Sequence, residues 1–346
     1  MIYLHRHGYA RIISGGHASS LIALVILRVV TRIVVCMNET IGGWVPYASR
    51  QLTAVGLETA RLDALVILCD EIGRDKAWVL AHPEMQLTAV QKAALDKKVV
   101  ERAKHIPLAY LRGHAEFYGR TFALNRHVLV PRPESEALID LLLSLANPKN
   151  SHFLLDRSKN GNGGDGEVMT IVDVGTGSGC LAITAKLELP HVRVVATDID
   201  QRCLAVAQKN ARRLGAEITL THGSLLTPLP LPLQTINYKL QTTTVLLANL
   251  PYVPTDYPVN PAATHEPATA LYGGTDGLDY YRQLFAQARA LAAPPAAIIT
   301  EALITQHSQL ATVATPYHYR LHTTHGLAQL YVYGSVVGGG GAEFDP

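Results

Sequence analysis

The sequence predicts an α/β fold, a doubly wound and mostly parallel sheet preceded by a small helical domain and a β-hairpin hinge. Three observations carry this expectation. Apolar residues recur at helical spacing through residues 40–110. The period shortens to that of strands across Glu116–Val130. From Thr170 onward, strand-like apolar runs alternate with helical stretches, the pattern of a parallel sheet with crossover helices. At 346 residues the chain is long enough for two domains and a sizeable core.

In chain order, Trp44, Tyr47, Ala48, Leu52 and Val55 predict a first helix, with Gly56 as its stop. Arg61–Ile72 predicts a second, closed by Gly73. Asp75 can cap a short helix through Trp78 and Leu80 that Pro83 ends. Thr88 can cap a longer one to about Lys104, with Val90, Ala94, Val99 and Ala103 on its apolar side. This helical region shows no catalytic constellation, so its expected role is recognition. Phe117–Leu124 and His127–Val130 read as the two arms of the hairpin, and Pro131-Arg-Pro-Glu134 as a rigid extended segment. Glu136–Ala146 then predicts a helix. Strands are expected at Thr170–Gly175, Val192–Thr197, Glu217–Thr221, Thr244–Asn249 and Ala296–Glu301, with two more inside Tyr317–Thr323 and Ala328–Tyr333. Asn147–Glu167, rich in Gly and Asn, reads as a surface insertion, Thr227–Gln241 as a Pro/Leu-rich loop, and Gly338–Pro346 as a flexible tail.

The net charge of +2 implies no nucleic-acid-binding tail. Cys36, Cys69, Cys180 and Cys203 lack C-x-x-C spacing and read as reduced, buried thiols of a cytoplasmic protein. The best histidine grouping, His318, His322 and His325, has no Cys or acidic partner in sequence, so no metal is expected. Leu21–Cys36 is apolar but interrupted by Arg28 and Arg32, which argues against a membrane span. Residues 1–37 are expected to be either a leader, with Met37 the real start and residues 1–36 translated ahead of it, or a disordered extension.

Two motifs carry chemistry. Ile171-Val-Asp-Val-Gly175-Thr-Gly177-Ser-Gly179 joins an apolar strand to a helix. Its glycines allow a tight turn and close approach to a ligand, but the spacing is neither G-x-G-x-x-G nor a Walker loop. The next strand ends in Asp198, an acidic side chain suited to ribose hydroxyls. Asn249-Leu250-Pro251-Tyr252 follows the apolar run Thr244–Ala248. The Asn249 side-chain oxygen and the Leu250 carbonyl can accept both hydrogens of a planar NH2 group. Tyr252 can stack on a flat amide or base, and Pro251 stiffens the turn. Glycine turn, acidic strand end and Asn-x-Pro-Tyr, in that order, predict an S-adenosylmethionine-dependent N-methyltransferase. All three stand at the carboxyl ends of strands, where one crevice can hold them.

The chain resembles the HemK/PrmC protein-(glutamine-N5) methyltransferases of peptide-chain release factors, from about Thr40 to Tyr333. The resemblance rests on Gly73-Arg-Asp-Lys-Ala-Trp-Val-Leu-Ala-His-Pro-Glu84, Pro107-Leu-Ala-Tyr-Leu-Arg-Gly113, Glu116-Phe-Tyr-Gly119 and Val130-Pro-Arg-Pro-Glu134. It continues in Asp173–Gly179, Ala196-Thr-Asp-Ile199, Asn249–Tyr252 and Glu266-Pro-Ala-Thr-Ala-Leu-Tyr-Gly-Gly-Thr-Asp-Gly-Leu278. It implies a helical substrate-recognition domain (40–112), a β-hairpin linker (113–133) and a Rossmann-like class I methyltransferase domain (134–335), with 336–346 as tail. It further implies that Gly175, Thr176, Gly177, Gly179 and Asp198 contact S-adenosylmethionine, together with Asn249, and that Asn249, Leu250, Pro251 and Tyr252 hold the glutamine of a Gly-Gly-Gln tripeptide. Pro131 to Glu134 would lie over the crevice. Asp173 either orients the glycine loop and the cofactor's amino group or caps the turn. Glu134 either sits near the cofactor or pairs with an Arg. Glu266 and Asp276 read as structural.

Two departures from the family pattern stand out. The family usually has Asn-Pro-Pro-Tyr, and Leu250 replaces the first proline while keeping the carbonyl. His222-Gly-Ser224-Leu lacks the acidic residue that often contacts adenine, leaving Ser224 as the candidate there. Asn-Leu-Pro-Tyr is also similar to the ribosomal RNA adenine dimethyltransferase motif, the rival reading. The near-neutral charge and a helical domain placed before the sheet favour a protein substrate. The expected partners are therefore release factors, with no nucleic acid or membrane, and the chain itself is expected to be a monomer.

Overall fold

The computed structural model describes residues 39–147, 169–227 and 243–334. The expected leader, the surface insertion, the Pro/Leu-rich loop and the tail lie outside the described residues, apart from their bordering positions. The chain divides into two compact units between Arg112 and Gly113.

The first unit is helical: Ile41–Ala54, Ala60–Ile72, Lys76–Ala81, Ala89–Ala103 and Leu108–Arg112. The caps are those the sequence offers. Asp75 accepts from Trp78 N at 2.7 Å, and Thr88 forms a capping box with Gln91. Gly73 ends its helix in the left-handed conformation (φ 64°) that costs glycine nothing. Trp44, Leu52, Leu68 and Leu95 are fully buried. The apolar side of Ala89–Ala103 differs from expectation. Leu95 and Val99 face the core, while Val90 is 79% exposed. Val90 lies in the first turn, where Thr88 and Ala89 are exposed as well, so its spacing with Ala94 does not bury it. Arg102 is buried on the same face, donating to Asp63 Oδ2 at 2.7 Å and to the Ile106 carbonyl at 3.1 Å.

The second unit opens with a hairpin, β1 (His114–Phe117) against β2 (Arg120–Ala123). The expected arms were one strand too late. Tyr118 and Gly119 both take positive φ (49° and 68°), the primed turn that matches strand twist. His127–Val130 joins no ladder, because Val128 N turns back to Asn125 O and Val130 N goes to the Glu266 carboxylate. Asn210 pins the hairpin to the sheet-bearing body through Ala123 N (2.8 Å), Ala123 O (3.0 Å) and Ser178 O (2.9 Å).

Seven further strands form one sheet: β3 (Thr170–Val174), β4 (Arg193–Asp198), β5 (Thr219–His222), β6 (Thr244–Ala248), β7 (Ala297–Glu301), β8 (Tyr319–His325) and β9 (Ala328–Tyr333). Their order is β5-β4-β3-β6-β7-β9-β8. The first five run parallel, and β9 and β8 are antiparallel additions. Alternate residues serve opposite faces. Ile171, Val194, Val245, Leu247 and Ile299 pack with helices Glu136–Ala146 and Cys180–Glu188. Val172, Val195, Leu246 and Ile298 pack with Asp279–Ala290 and His307–Ala314. This is the doubly wound architecture expected. Its strand order reverses at β3 and β6, and there a crevice opens at the strands' carboxyl ends.

The buried Arg102–Asp63 pair ties two helices of the first unit. Arg102→Ala should cost about 3–5 kcal/mol by leaving a buried carboxylate uncompensated. Thermal or urea unfolding of the variant should show that loss, and an unchanged midpoint would exclude a structural role for the pair.

Candidate active site

The glycine turn is held to the end of β4. Gly175 N and Thr176 N both donate to Thr197 O at 2.9 Å, and Gly177 N donates to Asp198 Oδ2 at 2.9 Å. Each glycine has a separate reason. A Cβ on Gly179 would lie 2.9 Å from Ile183 Cδ1 and 3.1 Å from Ala207 Cβ, so this position serves close helix packing. Gly177, at φ 54°, meets nothing within 4 Å, because it faces the open cleft. Gly175 and Gly177, with Thr176 between them, line that cleft with Asp198, Ser224, Asn249, Leu250 and Pro251.

Two acidic residues sit behind and beside the turn. Asp173 is buried. Its Oδ2 accepts from Thr176 Oγ1 (2.6 Å) and Ala182 N (3.1 Å), and Oδ1 makes no hydrogen bond. Burial pushes its carboxyl up to about 6, against the pull of those donors. Asp198 is 8% exposed and also accepts from Asp200 N at 2.8 Å. Burial raises its pKa as well. Backbone donors thus aim this carboxylate across the cleft while each oxygen keeps a second lone pair. A diol fits Asp198, and the open face of Gly177 admits a ligand against the backbone, while Asp173 stands behind the turn and is not among the residues lining the cleft, its unpaired oxygen leaving negative charge there for a cationic group in front. The residues present therefore suit S-adenosylmethionine.

The Asn249–Tyr252 turn is buttressed from three sides. Asn249 Nδ2 donates to Ser135 Oγ at 2.8 Å. Gln306 Nε2 donates to both Tyr252 O and Asp276 O at 2.8 Å. A Cβ on Gly273 would overlap the Pro251 carbonyl oxygen, and one on Gly277 the Tyr252 carbonyl oxygen, so only glycine lets this loop close on the turn. Leu250 is 4% exposed and packs towards Gly175. Tyr252 is not among the residues lining the cleft. Its ring packs with the β6/β7 side of the core, and its hydroxyl donates to Glu301 Oε1 at 2.9 Å. Burial, then the charge of Glu301 and the bond to it, raise the phenol's pKa.

Of the Pro131–Glu134 segment, Pro131 and Arg132 line the cleft, whereas Glu134 is exposed. Arg132 pairs with the buried Glu266, which also accepts from Val130 N at 2.9 Å, giving Glu266 the structural part expected of it. Asp276 pairs with the exposed Arg282. Sequence reasoning passed over Ser135, Gln306 and Glu301. Glu301 was legible, because it ends an expected parallel strand as Asp198 does. Ser135 and Gln306 gave no signal, since their partners are distant in sequence. Among the described residues, no three His, Cys, Asp or Glu side chains are placed to hold a metal, and no helix is long and apolar enough to cross a membrane.

Comparison with known proteins bears on this geometry. Residues 44–113 match the PrmC N-terminal domain family, and residues 154–249 the ribosomal protein L11 methyltransferase (PrmA) family. The release factor glutamine methyltransferase of Bacillus anthracis is 35% identical over 221 residues, covering 63% of this chain and 71% of that protein. That of Moorella thermoacetica is 38% identical over 251 residues, covering 71% and 80%. Among solved structures, a methyltransferase from Pyrococcus furiosus aligns with a TM-score of 0.40 at 14% identity, covering 72% of this chain and 100% of the other.

Asp173 gives the site a pH signature. Its pKa of about 6 in the folded chain stands above the ordinary 3.8. Between these values the folded state holds more protons. This group's contribution therefore favours folding below pH 3.8 and is withdrawn as pH rises to about 6. The loss amounts to at most about 3 kcal/mol. Asp173→Asn should flatten that fall. Urea unfolding of both proteins across this range checks it, and parallel pH profiles would refute the assignment.

Proposed function

The chain belongs to the release factor glutamine methyltransferase family, and we propose on that basis that it transfers a methyl group to the side-chain amide nitrogen (N5) of the Gly-Gly-Gln glutamine of peptide-chain release factors. It is an S-adenosylmethionine-dependent methyltransferase. S-adenosylmethionine supplies an electrophilic methyl group on a sulfonium, so the chain's own task is to position and polarise a poor nucleophile. The amide nitrogen's lone pair is delocalised into its carbonyl, and in-line placement can lower the barrier by several kcal/mol, up to about 7–11.

The single observation that carries the site reading is the Asn249–Ser135 bond at 2.8 Å. With Nδ2 committed to the protein, Oδ1 is the end left to accept from a substrate NH2. The Leu250 carbonyl is the second acceptor, and leucine supplies it as proline would. Together they would draw on both N–H bonds and aim the nitrogen. In this reading Gly175, Thr176 and Gly177 line the cofactor's cradle, Gly179 lets the following helix pack closely behind it, Asp198 takes the ribose, Ser224 lies on the adenine side, and Asp173 orients the turn for the cofactor's amino group. Tyr252 acts through Glu301 and through the stiffness of the turn. No base is required, because the nitrogen becomes strongly acidic once methylated and its proton can pass to water. The helical first unit serves release-factor recognition. The proposal extends to a monomer at work in the cytoplasm, with no nucleic-acid substrate.

Mass spectrometry of a Gly-Gly-Gln release factor after incubation with the protein and S-adenosylmethionine tests this directly, and one added methyl on that glutamine is expected. Asn249→Ala should abolish most of the methylation, by roughly a hundredfold if one charge-polarising acceptor is lost, while calorimetry shows cofactor affinity nearly unchanged. Asn249→Asp keeps an acceptor but loses the NH2 that orients it, and should be impaired too. Methylation of ribosomal RNA adenine with none on the release factor would favour the rival substrate.

A further inference from the structure

Behind the acceptor turn lies a carboxylate that the methylation chemistry does not use. Glu301 ends β7 and is fully buried, as is most of Ser135. Its Oε1 accepts from the Tyr252 hydroxyl at 2.9 Å, and its Oε2 makes no hydrogen bond. Its backbone carbonyl accepts from the Tyr281 hydroxyl, which also reaches Ala248 O at 3.3 Å and so locks the ends of β6 and β7 together. Ala248 pairs with Thr300 in the parallel β6–β7 ladder, so Asn249 and Glu301 follow side by side at the strand ends. Burial raises the Glu301 pKa, and the Ser135 hydroxyl, the Tyr252 hydroxyl and the Asn249 side chain oppose that rise by stabilising the charge.

The consequence falls on Asn249. A side-chain amide can sit either way round, and its two faces are chemically opposite. Here Nδ2 points to Ser135 Oγ, on the side of the Glu301 carboxylate. Turned over, Oδ1 would face a negative charge with no hydrogen to share, a buried repulsion between acceptors. We propose that Glu301 is a positioning and specificity residue, whose buried charge fixes Asn249 with its oxygen towards substrate and so restricts the acceptor site to a neutral NH2-bearing carboxamide, excluding a carboxylate. This rests on the glutamine-methylating reading above and deepens it. Two acceptors face the substrate and a negative charge lies behind them. A glutamate in place of glutamine would bring no hydrogen and a second negative charge. Sites built around a substrate N–H reject analogues that lack it strongly, because their polar groups are left unpaired.

The test compares the full chain with Glu301→Gln, using a release factor with its Gly-Gly-Gln intact and one carrying Gly-Gly-Glu as competitor. Methylation of the glutamine form by the unsubstituted chain is measured first. Its absence overturns the functional reading and this inference with it. If it is present, Glu301→Gln should lower kcat roughly ten- to a hundredfold by freeing the amide to turn. The KM for S-adenosylmethionine should stay within about twofold, and the glutamate competitor should inhibit roughly tenfold better once the like charge is gone. The inference requires the change in kcat and the change in competitor inhibition together, and either alone overturns it while leaving the function standing. Should Glu301→Gln fail to fold, Glu301→Asp keeps a negative charge at this place. Its inhibition by the glutamate competitor should stay within about twofold of that of the unsubstituted chain, and inhibition roughly tenfold stronger overturns the inference.

Discussion

The parallel pairing of β3 with β6 is the constraint on which the site depends. Asp173 lies beside Leu247 in that ladder, so two residues further on Gly175 and Asn249 leave the sheet next to one another. Cofactor turn and acceptor turn are thereby set side by side by backbone hydrogen bonds rather than by loops. A slip of one residue would exchange the two faces of β6. Leu247 would leave one core for the other, and Asn249 would turn away from the cleft. The apolar runs on both faces of these strands make such a slip costly, and the same burial that stabilises the sheet therefore sets the geometry of the chemistry.

Stability is given up where function needs it. Asp173 and Glu301 are carboxylates held almost wholly out of water, each with one oxygen lacking a hydrogen bond. An apolar residue at either place would suit the fold better. They persist beside tightly closed backbone: Gly179 under its helix, and Gly273 and Gly277 against the carbonyls of Pro251 and Tyr252. Rigid surroundings of this kind keep buried charges from relaxing and hold the acceptors at one setting.

Much of this was legible in the sequence, for physical reasons that can be named. Strand periodicity located β3, β4, β6 and β7 to within a residue, and Asp75, Thr88 and Gly73 announced their caps because capping is local. What failed was non-local. Val90 has helical spacing but no neighbour to bury it. His127–Val130 has strand composition, yet its backbone donors go to Asn125 and to Glu266, far along the chain. Tyr252 was expected to stack on the substrate amide, and nothing in its sequence context announced that its hydroxyl is held by Glu301. Asn249 and Asp198 could be singled out as strand-end polar residues, but nothing in the sequence joins Ser135 to Asn249 or Gln306 to Tyr252. Such pairs exist only once the sheet has brought them together.

The raised pKa of Asp173 has a consequence for how the cleft takes up a ligand. Near pH 6 a good part of this carboxyl is protonated. A cationic group bound in front of the glycine turn would favour the ionised form, so binding would expel a proton into solution. The heat of binding would then vary with the ionisation enthalpy of the buffer, and affinity would strengthen as pH climbs through that range. Below about pH 6 the cleft thus exchanges one positive charge for another.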